Sequence, residues 1–291
     1  MAAPDPTDDE LANRWDRALS GDPAGLEQRL VADSRLPGPR ANLELAHRFA
    51  DRAGAAPPEQ RAAANAVLAA WLALPVGEPD PRAEYLAAVA ALAAGALVAA
   101  APDRDAGAIL TAAARDPRWR VRELAATGLQ RVLAADWPRG IAQARAWLSD
   151  GFATNDRDSP RVAAIRDESR AGGGALLARA AAAGVAEPAL LREPAHAADA
   201  CRIVADAVDV LLAVPSPDRR DPGVRVLRRA LGYAVSVVAA ADPDGGVPLL
   251  NRLATSADPD SRWVARENLT KARLAPLADR LAVARDALTR W

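Results

Sequence analysis

The chain of 291 residues has very little cysteine and lysine and almost no net charge, and each shortage excludes a class of protein. A single cysteine, Cys201, excludes an intramolecular disulfide and a cysteine-based zinc cluster. Lys271 is the one lysine among 37 basic residues, which we interpret as the codon bias of a GC-rich genome rather than a use of arginine geometry. The formal charge of −1 excludes strong attraction of the whole molecule to nucleic acid or to an anionic membrane. A local basic face stays compatible with it.

Residues that usually bind metals and nucleotides are also scarce. The chain has two histidines, His47 and His196, and neither is followed by glutamate, so we predict no metal site. The glycine run 172–174 is not followed by Lys-Ser or Lys-Thr, and we interpret it as a helix break rather than a phosphate-binding loop. No Ser-His-Asp set can be assembled from two histidines. The sequence therefore predicts no cofactor.

Long hydrophobic runs are nearly absent as well. The acidic stretch Met1 to Glu10 has no apolar core, so we expect no signal peptide. The uncharged stretch Tyr85 to Ala101 consists mostly of alanine and is short for a bilayer, which needs about 20 helical residues. We predict a buried central helix there, and a cytoplasmic protein that makes no use of a membrane.

What the chain does have is the composition of a helical protein. Hydrophobic residues make up 51% and aromatic residues 4%, and alanine and leucine favour helices, whereas strands favour β-branched and aromatic residues. Asp-Pro pairs recur along the chain, and aspartate caps a helix start while proline suits the first helical position. The pairs begin at Asp5, Asp22, Asp80, Asp116, Asp221, Asp242 and Asp258. We therefore predict an all-α fold in which each pair starts a helix.

The spacing of these pairs indicates a repeat. Asp80 and Asp116 are 36 residues apart and Asp221 and Asp258 are 37 apart, close to the ~40 residues of a HEAT or armadillo helix pair. We predict a single domain, 1–291, built as a right-handed α-solenoid of HEAT-like helix pairs. Its predicted parts are N-terminal capping helices in 1–75, repeat helices in 76–150 and 160–291, and a polar loop near 150–160.

The segment from Asp116 to Leu129, DPRWRVRELAATGL, resembles the turn and second helix of a HEAT repeat. In that family an aspartate and the arginine six residues later pair between stacked repeats, and the resemblance implies this role for Asp116 and Arg122. Asp260 and Arg266 have the same spacing. The resemblance implies a fold but almost nothing about function.

A second resemblance is to the HEAT-like alkylpurine DNA glycosylases, in which a carboxylate follows a tryptophan by one helical turn. Trp119 and Glu123 have this spacing, and Trp263 and Glu267 repeat it. The segment RRALGYAV resembles the one that carries an opposing tryptophan in those enzymes, and Tyr233 stands at that position here. Glu123 stands where the best-known branch has aspartate. Such residues would stabilise the positive charge that develops on base and sugar as the glycosidic bond breaks.

Two functions remain open from the sequence. The first is a non-enzymatic interaction scaffold that binds a protein partner on a concave face formed by the second helices. The alternative is a glycosylase for DNA repair or self-resistance, acting on double-stranded DNA with Glu123 as the catalytic carboxylate. The candidate binding residues are Trp119, Arg122, Arg225, Arg228, Arg229, Tyr233, Trp263 and Glu267. For the tryptophans the other interpretation is that each ring fills space between stacked repeats, and for the glutamates that each carboxylate makes a favourable contact with a helix N-terminus.

Overall fold

The computed structural model describes residues 6–76, 81–155 and 170–290, and these residues form helices, turns and loops without a strand. The prediction of an all-α fold is therefore confirmed. The chain forms two compact units, Met1–Asp136 and Trp137–Trp291. A single repeat array over the whole chain stays a prediction.

The first unit contains seven α-helices among its described residues. They are α1 (Pro6–Leu19), α2 (Ala24–Ala32), α3 (Leu43–Gly54), α4 (Arg61–Leu72), α5 (Pro81–Ala100), α6 (Arg104–Ala114) and α7 (Trp119–Ala135). Within it α5 packs against α3 and against α7, and α4 and α6 pack against each other and against α5. Helices that are close in sequence therefore pack together around α5.

The second unit has a further set of helices among its described residues. They are α8 (Trp137–Asn155), α9 (Arg170–Val185), α10 (Pro194–Ala213), α11 (Pro222–Ala241), α12 (Pro243–Thr255), α13 (Pro259–Leu269) and α14 (Ala282–Thr289). The pairs α8–α9, α10–α11 and α12–α13 each pack together. The second helices also pack in order, α9 on α11 and α11 on α13.

The alanine-rich helix α5 forms the core of the first unit. Its stretch Ala83–Ala100 is long and apolar enough to cross a membrane, and 83% of this stretch is buried inside the unit. A Cβ atom on Gly95 would lie 2.3 Å from the Cα of Gly128, so α5 and α7 cross with their backbones in contact. Small residues are needed at this crossing because any side chain would push the helices apart.

Aspartates of the Asp-Pro pairs cap helices as predicted in the second unit. The carboxylates of Asp221, Asp242 and Asp258 accept hydrogen bonds from the first backbone amides of α11, α12 and α13. Asp116 differs, because its carboxylate accepts from the amide and the guanidinium of Arg118. As a result, α7 begins at Trp119 rather than at Pro117.

Two further boundaries differ from the predictions. The helix α8 continues to Asn155, so the first half of the loop predicted at 150–160 is helical, since one glycine costs a helix only about 1 kcal/mol. The rest of that loop and the first residues of the repeat helices predicted in 160–291, up to residue 169, lie outside the described residues. The apolar spacing predicts a helix near 259–274, but α13 stops at Leu269 and a 3₁₀-helix, Ala272–Leu277, follows it. Pro276 in that segment cannot donate to a helical ladder.

Candidate functional site

In the first unit, Trp119 and Glu123 lie on the surface of α7. Trp119 is the first residue of the helix and is 53% exposed, which is unusual for a side chain of this size. The guanidinium of Arg120 lies 4.4 Å from the centre of its ring, and the same guanidinium forms an ion pair with Glu84 at 2.8 Å. Glu123 is exposed and follows by four residues, so the two side chains share one side of the helix.

The turn before α7 is held by a buried arginine. Arg118 forms an ion pair with Asp116 at 2.7 Å, and both side chains are almost fully buried. Its guanidinium also donates to the carbonyl of Leu72, at the end of α4, at 2.8 Å. Arg122 donates to the backbone carbonyls of Asp116 and Pro117 at 2.6 and 2.7 Å. Both arginines therefore stabilise the turn that presents Trp119.

In the second unit, three large exposed side chains follow one another along α11. Arg225, Arg229 and Tyr233 are spaced by four residues, so they lie on neighbouring turns of the helix. Neither arginine forms an ion pair with any acidic residue that the structure describes. We call these three residues, together with Arg273, the basic face.

Arg273 joins the basic face from the segment after α13. Its guanidinium lies 4.5 Å from the centre of the Tyr233 ring and donates to the tyrosine hydroxyl at 2.9 Å. Tyr233 nevertheless remains 47% exposed. A cation over the ring and a hydrogen bond to its end fix the orientation of both side chains.

Arg228 and Trp263 form a contact between α11 and α13. The Arg228 guanidinium lies 4.1 Å from the centre of the Trp263 ring, and its Nε lies 3.0 Å from the carboxylate of Asp260. A Cβ atom on Gly232 would lie 3.1 Å from the Trp263 ring and 3.3 Å from the Cβ of Glu267, so the tryptophan fills the space between the helices. Arg228 is thus engaged in packing, unlike Arg225 and Arg229.

A second buried arginine holds the turn that starts α13. Arg219 contacts the carboxylates of Asp258 at 2.6 Å and Asp260 at 3.2 Å. It also donates to the carbonyls of Leu212 at 3.0 Å and Val214 at 2.8 Å, at the end of α10. Arg219 therefore stabilises the turn that starts α13, as Arg118 stabilises the turn before α7.

An open groove of ≈ 740 Å³ lies beside the basic face. Val237, one turn beyond Tyr233, contributes to its apolar lining. Lys271 and Arg273 are the cationic residues of the lining. The remaining residues of the lining are Pro188, Leu191, Ala240, Ala241, Thr270 and Ala272. We call this feature the apolar groove.

The structure divides the sequence-predicted residues between the units. Trp119, Arg122 and Glu123 belong to the first unit. Arg225, Arg228, Arg229, Tyr233, Trp263 and Glu267 belong to the second.

Asp260 and Arg266 have the spacing of the HEAT motif, but within the described residues they do not pair with each other. The carboxylate of Asp260 contacts Arg219 and Arg228, whereas Arg266 points to solvent on the exposed side of α13. The carboxylate of Asp260 is already paired with two arginines, Arg219 from the turn before α11 and Arg228 from α11 itself.

The sequence did not predict that Val237, Lys271 and Arg273 line a groove. Lys271 stands out in the sequence because it is the one lysine of the chain. We interpret its rarity as codon bias, which says nothing about where the residue lies in the fold. Nothing in the local pattern around Arg273 or Val237 indicated a groove, because the groove is formed by segments far apart in sequence.

In the described part of the chain, the side chains are not arranged to bind a metal ion or to activate a thiol. No group of three or more histidine, cysteine or acidic residues is arranged there to hold a metal ion. Cys201 is buried on α10, and burial, with a smaller effect of Asp242, raises the pKa of its thiol to about 11. A thiol with this pKa is a poor nucleophile at neutral pH.

Comparisons with known proteins found no family model, no curated protein and no solved structure that matches this chain.

Proposed function

We propose that this protein is a HEAT-like right-handed α-solenoid that works as a non-enzymatic interaction scaffold, binding an acidic protein partner through the basic face. The observation that carries the proposal is the pair Arg225 and Arg229, two exposed arginines with no acidic partner among the described residues, in line with the exposed Tyr233. Tyrosine and arginine are enriched where proteins bind one another. Arg225, Arg229 and Tyr233 lie on α11, which packs against α10 as the second helix of a pair, and this packing supports the repeat interpretation.

The preference for a protein over nucleic acid follows from charge. Affinity for DNA depends on neutralising many phosphates, and the chain has a formal charge of −1. The basic face offers three arginines beside an apolar groove, which suits a short acidic segment with hydrophobic residues. A reducing cytoplasm without a membrane is the compartment we propose, in keeping with the single cysteine.

The test is affinity capture with the tagged full-length chain, comparing Arg225→Glu/Arg229→Glu with a matched control. The control, Arg192→Glu/Arg285→Glu, changes the same charge at two other exposed arginines of the second unit. We expect partners retained by the native chain and the control to be lost with the basic-face variant. Equal capture by both variants would refute the proposal. Arg228 is left unchanged because its reversal would disturb Trp263 and Asp260.

A glycosylase is the second candidate, favoured by one observation in the first unit. Trp119 is exposed rather than packed, and the exposed carboxylate of Glu123 lies one turn away on the same side of α7. An exposed ring and carboxylate could contact an alkylated base and stabilise its developing positive charge. In this candidate Arg225, Arg228 and Arg229 would contact DNA phosphates, and all three are residues of the second unit.

The glycosylase is tested by release of free base from double-stranded DNA carrying N-methylated purines. Release that disappears in Glu123→Gln, and binding that falls steeply with salt, would establish this activity and displace the scaffold. An active-site role also predicts that Trp119→Ala weakens release. No release and no salt-dependent DNA binding would eliminate the candidate.

A further inference from the structure

The apolar groove lies next to the basic face and shares a residue with it. Arg273 holds Tyr233 from one side and lines the groove on the other. Along α11, Val237 follows Tyr233 by one turn, and Ala240 and Ala241 lie near the end of the helix. Arginines, a tyrosine and an apolar lining therefore succeed one another along a single helix.

The charges of the groove all have one sign. Lys271 and Arg273 line it, and neither forms an ion pair with an acidic residue that the structure describes. Thr270 adds a hydroxyl, and the other lining residues are alanine, valine, leucine and proline. An occupant that complements this lining carries apolar side chains and a carboxylate close to them.

The length of the surface sets the size of the occupant. Arg225 and Ala240 are 15 residues apart on α11, which corresponds to roughly 22 Å along the helix axis. An extended peptide advances about 3.3 Å per residue, so about seven residues span this distance. Such a segment is short enough to be one acidic and hydrophobic stretch of a partner protein.

We propose that the apolar groove binds the hydrophobic end of an acidic peptide segment whose carboxylates lie on the basic face and beside Lys271. The inference rests on the proposed function, because it names the chemistry of the partner that the basic face binds. It adds an ordered polarity: acidic residues contact Arg225 and Arg229, and aliphatic residues contact Val237 and Ala240. Nucleic acid is disfavoured, since the groove offers aliphatic walls and the Tyr233 ring already carries Arg273 on one face.

The single lysine provides a direct measurement on the unmodified chain. An amine-reactive reagent modifies Lys271 and the N-terminus, and mass spectrometry reads the Lys271 peptide separately. The first probe is a short peptide with glutamates in one half and leucines in the other. It is made in two versions, one with the glutamates at the N-terminal end and one with the leucines there. The matched probe has serines in place of the leucines.

We expect the leucine peptide to slow modification of Lys271 and to bind about tenfold more tightly than the serine peptide, the gain from partly burying a leucine-sized side chain. Ala240→Phe fills the groove at an exposed alanine and should remove this gain, whereas Arg225→Glu/Arg229→Glu should weaken both peptides. Equal binding of the two peptides with no protection of Lys271 would overturn the inference and leave the proposed function standing.

Two further outcomes separate the proposals. If neither peptide binds while partner capture still depends on Arg225 and Arg229, the groove inference is wrong and the scaffold is not. If duplex DNA, rather than the leucine peptide, protects Lys271, the groove belongs to a nucleic-acid interface and the inference is also wrong.

Discussion

A single buried asparagine fixes how α11 and α13 pack beneath the basic face. Asn268 on α13 is fully buried, and its side-chain oxygen accepts from the backbone amide of Ser236 on α11 at 2.7 Å. Its amide nitrogen donates to the carbonyls of Leu231 on α11 at 2.8 Å and Val264 on α13 at 2.7 Å. We predict that Asn268→Leu destabilises the second unit severely, although leucine has a similar volume and is apolar.

The magnitude follows from these three hydrogen bonds. A hydrogen bond contributes about 1 kcal/mol net, and a buried polar group left without a partner costs about 1–3 kcal/mol. The oxygen and nitrogen of Asn268 serve two backbone groups of α11 that leucine cannot satisfy. We therefore expect the free energy of unfolding to fall by about 3 kcal/mol, with the urea midpoint lowered by about 1–2 M.

The assay is urea unfolding of the full-length chain followed by hydrogen exchange, so that peptides of the first unit serve as an internal reference. The control is Asn251→Leu on α12 in the same unit, because the buried side-chain oxygen of Asn251 has no hydrogen-bond partner among the residues that the structure describes. That substitution should cost less than about 1 kcal/mol. Equal destabilisation by the two substitutions would refute the reasoning that the hydrogen bonds of Asn268, rather than its burial, hold the helices together.

Three other predictions concern buried or partly buried groups. Arg118→Met should destabilise the first unit by about 3–5 kcal/mol because it leaves the buried carboxylate of Asp116 unpaired, and adding Asp116→Asn should restore part of the loss in the same urea assay. Desolvation, and then the charge of Arg131, lowers the pKa of His47, so the unfolded chain binds more protons below the ordinary value of 6.5. Stability should therefore fall as the pH drops below 6.5 and level off below the folded-state pKa, and a midpoint in His47→Gln that falls just as steeply would contradict this. Cys201, with a pKa raised to about 11, should resist iodoacetamide at pH ~8 in the folded chain and react after unfolding, and rapid labelling without urea would contradict its burial.

The helices could be predicted from the sequence largely because their starts have a local cause. Asp221, Asp242 and Asp258 cap helices that begin at the following proline, and only the adjoining residues are needed for this. Asp116 does not cap a helix that begins at Pro117, because Arg118 binds its carboxylate and also the end of α4. That contact joins residues more than 40 positions apart, so no local pattern could indicate it.

The site could be predicted only in part. Arginines on α11 were evident from the sequence, but their division into available and engaged side chains was not. Arg228 contacts Trp263 and Asp260, whereas Arg225 and Arg229 on the same helix face solvent. That distinction depends on which side of α11 meets α13, and periodicity alone does not reveal it.

The same distinction explains how a chain of almost zero net charge can present a basic surface. Arg118 and Arg219 neutralise aspartates at the turns of their units, so those carboxylates do not oppose charge elsewhere. Arg225 and Arg229 have no such partners in the part of the chain that the structure describes, and their charge is available to a ligand. Because few charges are involved, binding at this face should weaken only gradually with added salt. Selectivity would then depend on Tyr233 and the apolar groove, and a partner would be chosen by the order of its acidic and hydrophobic residues rather than by charge alone.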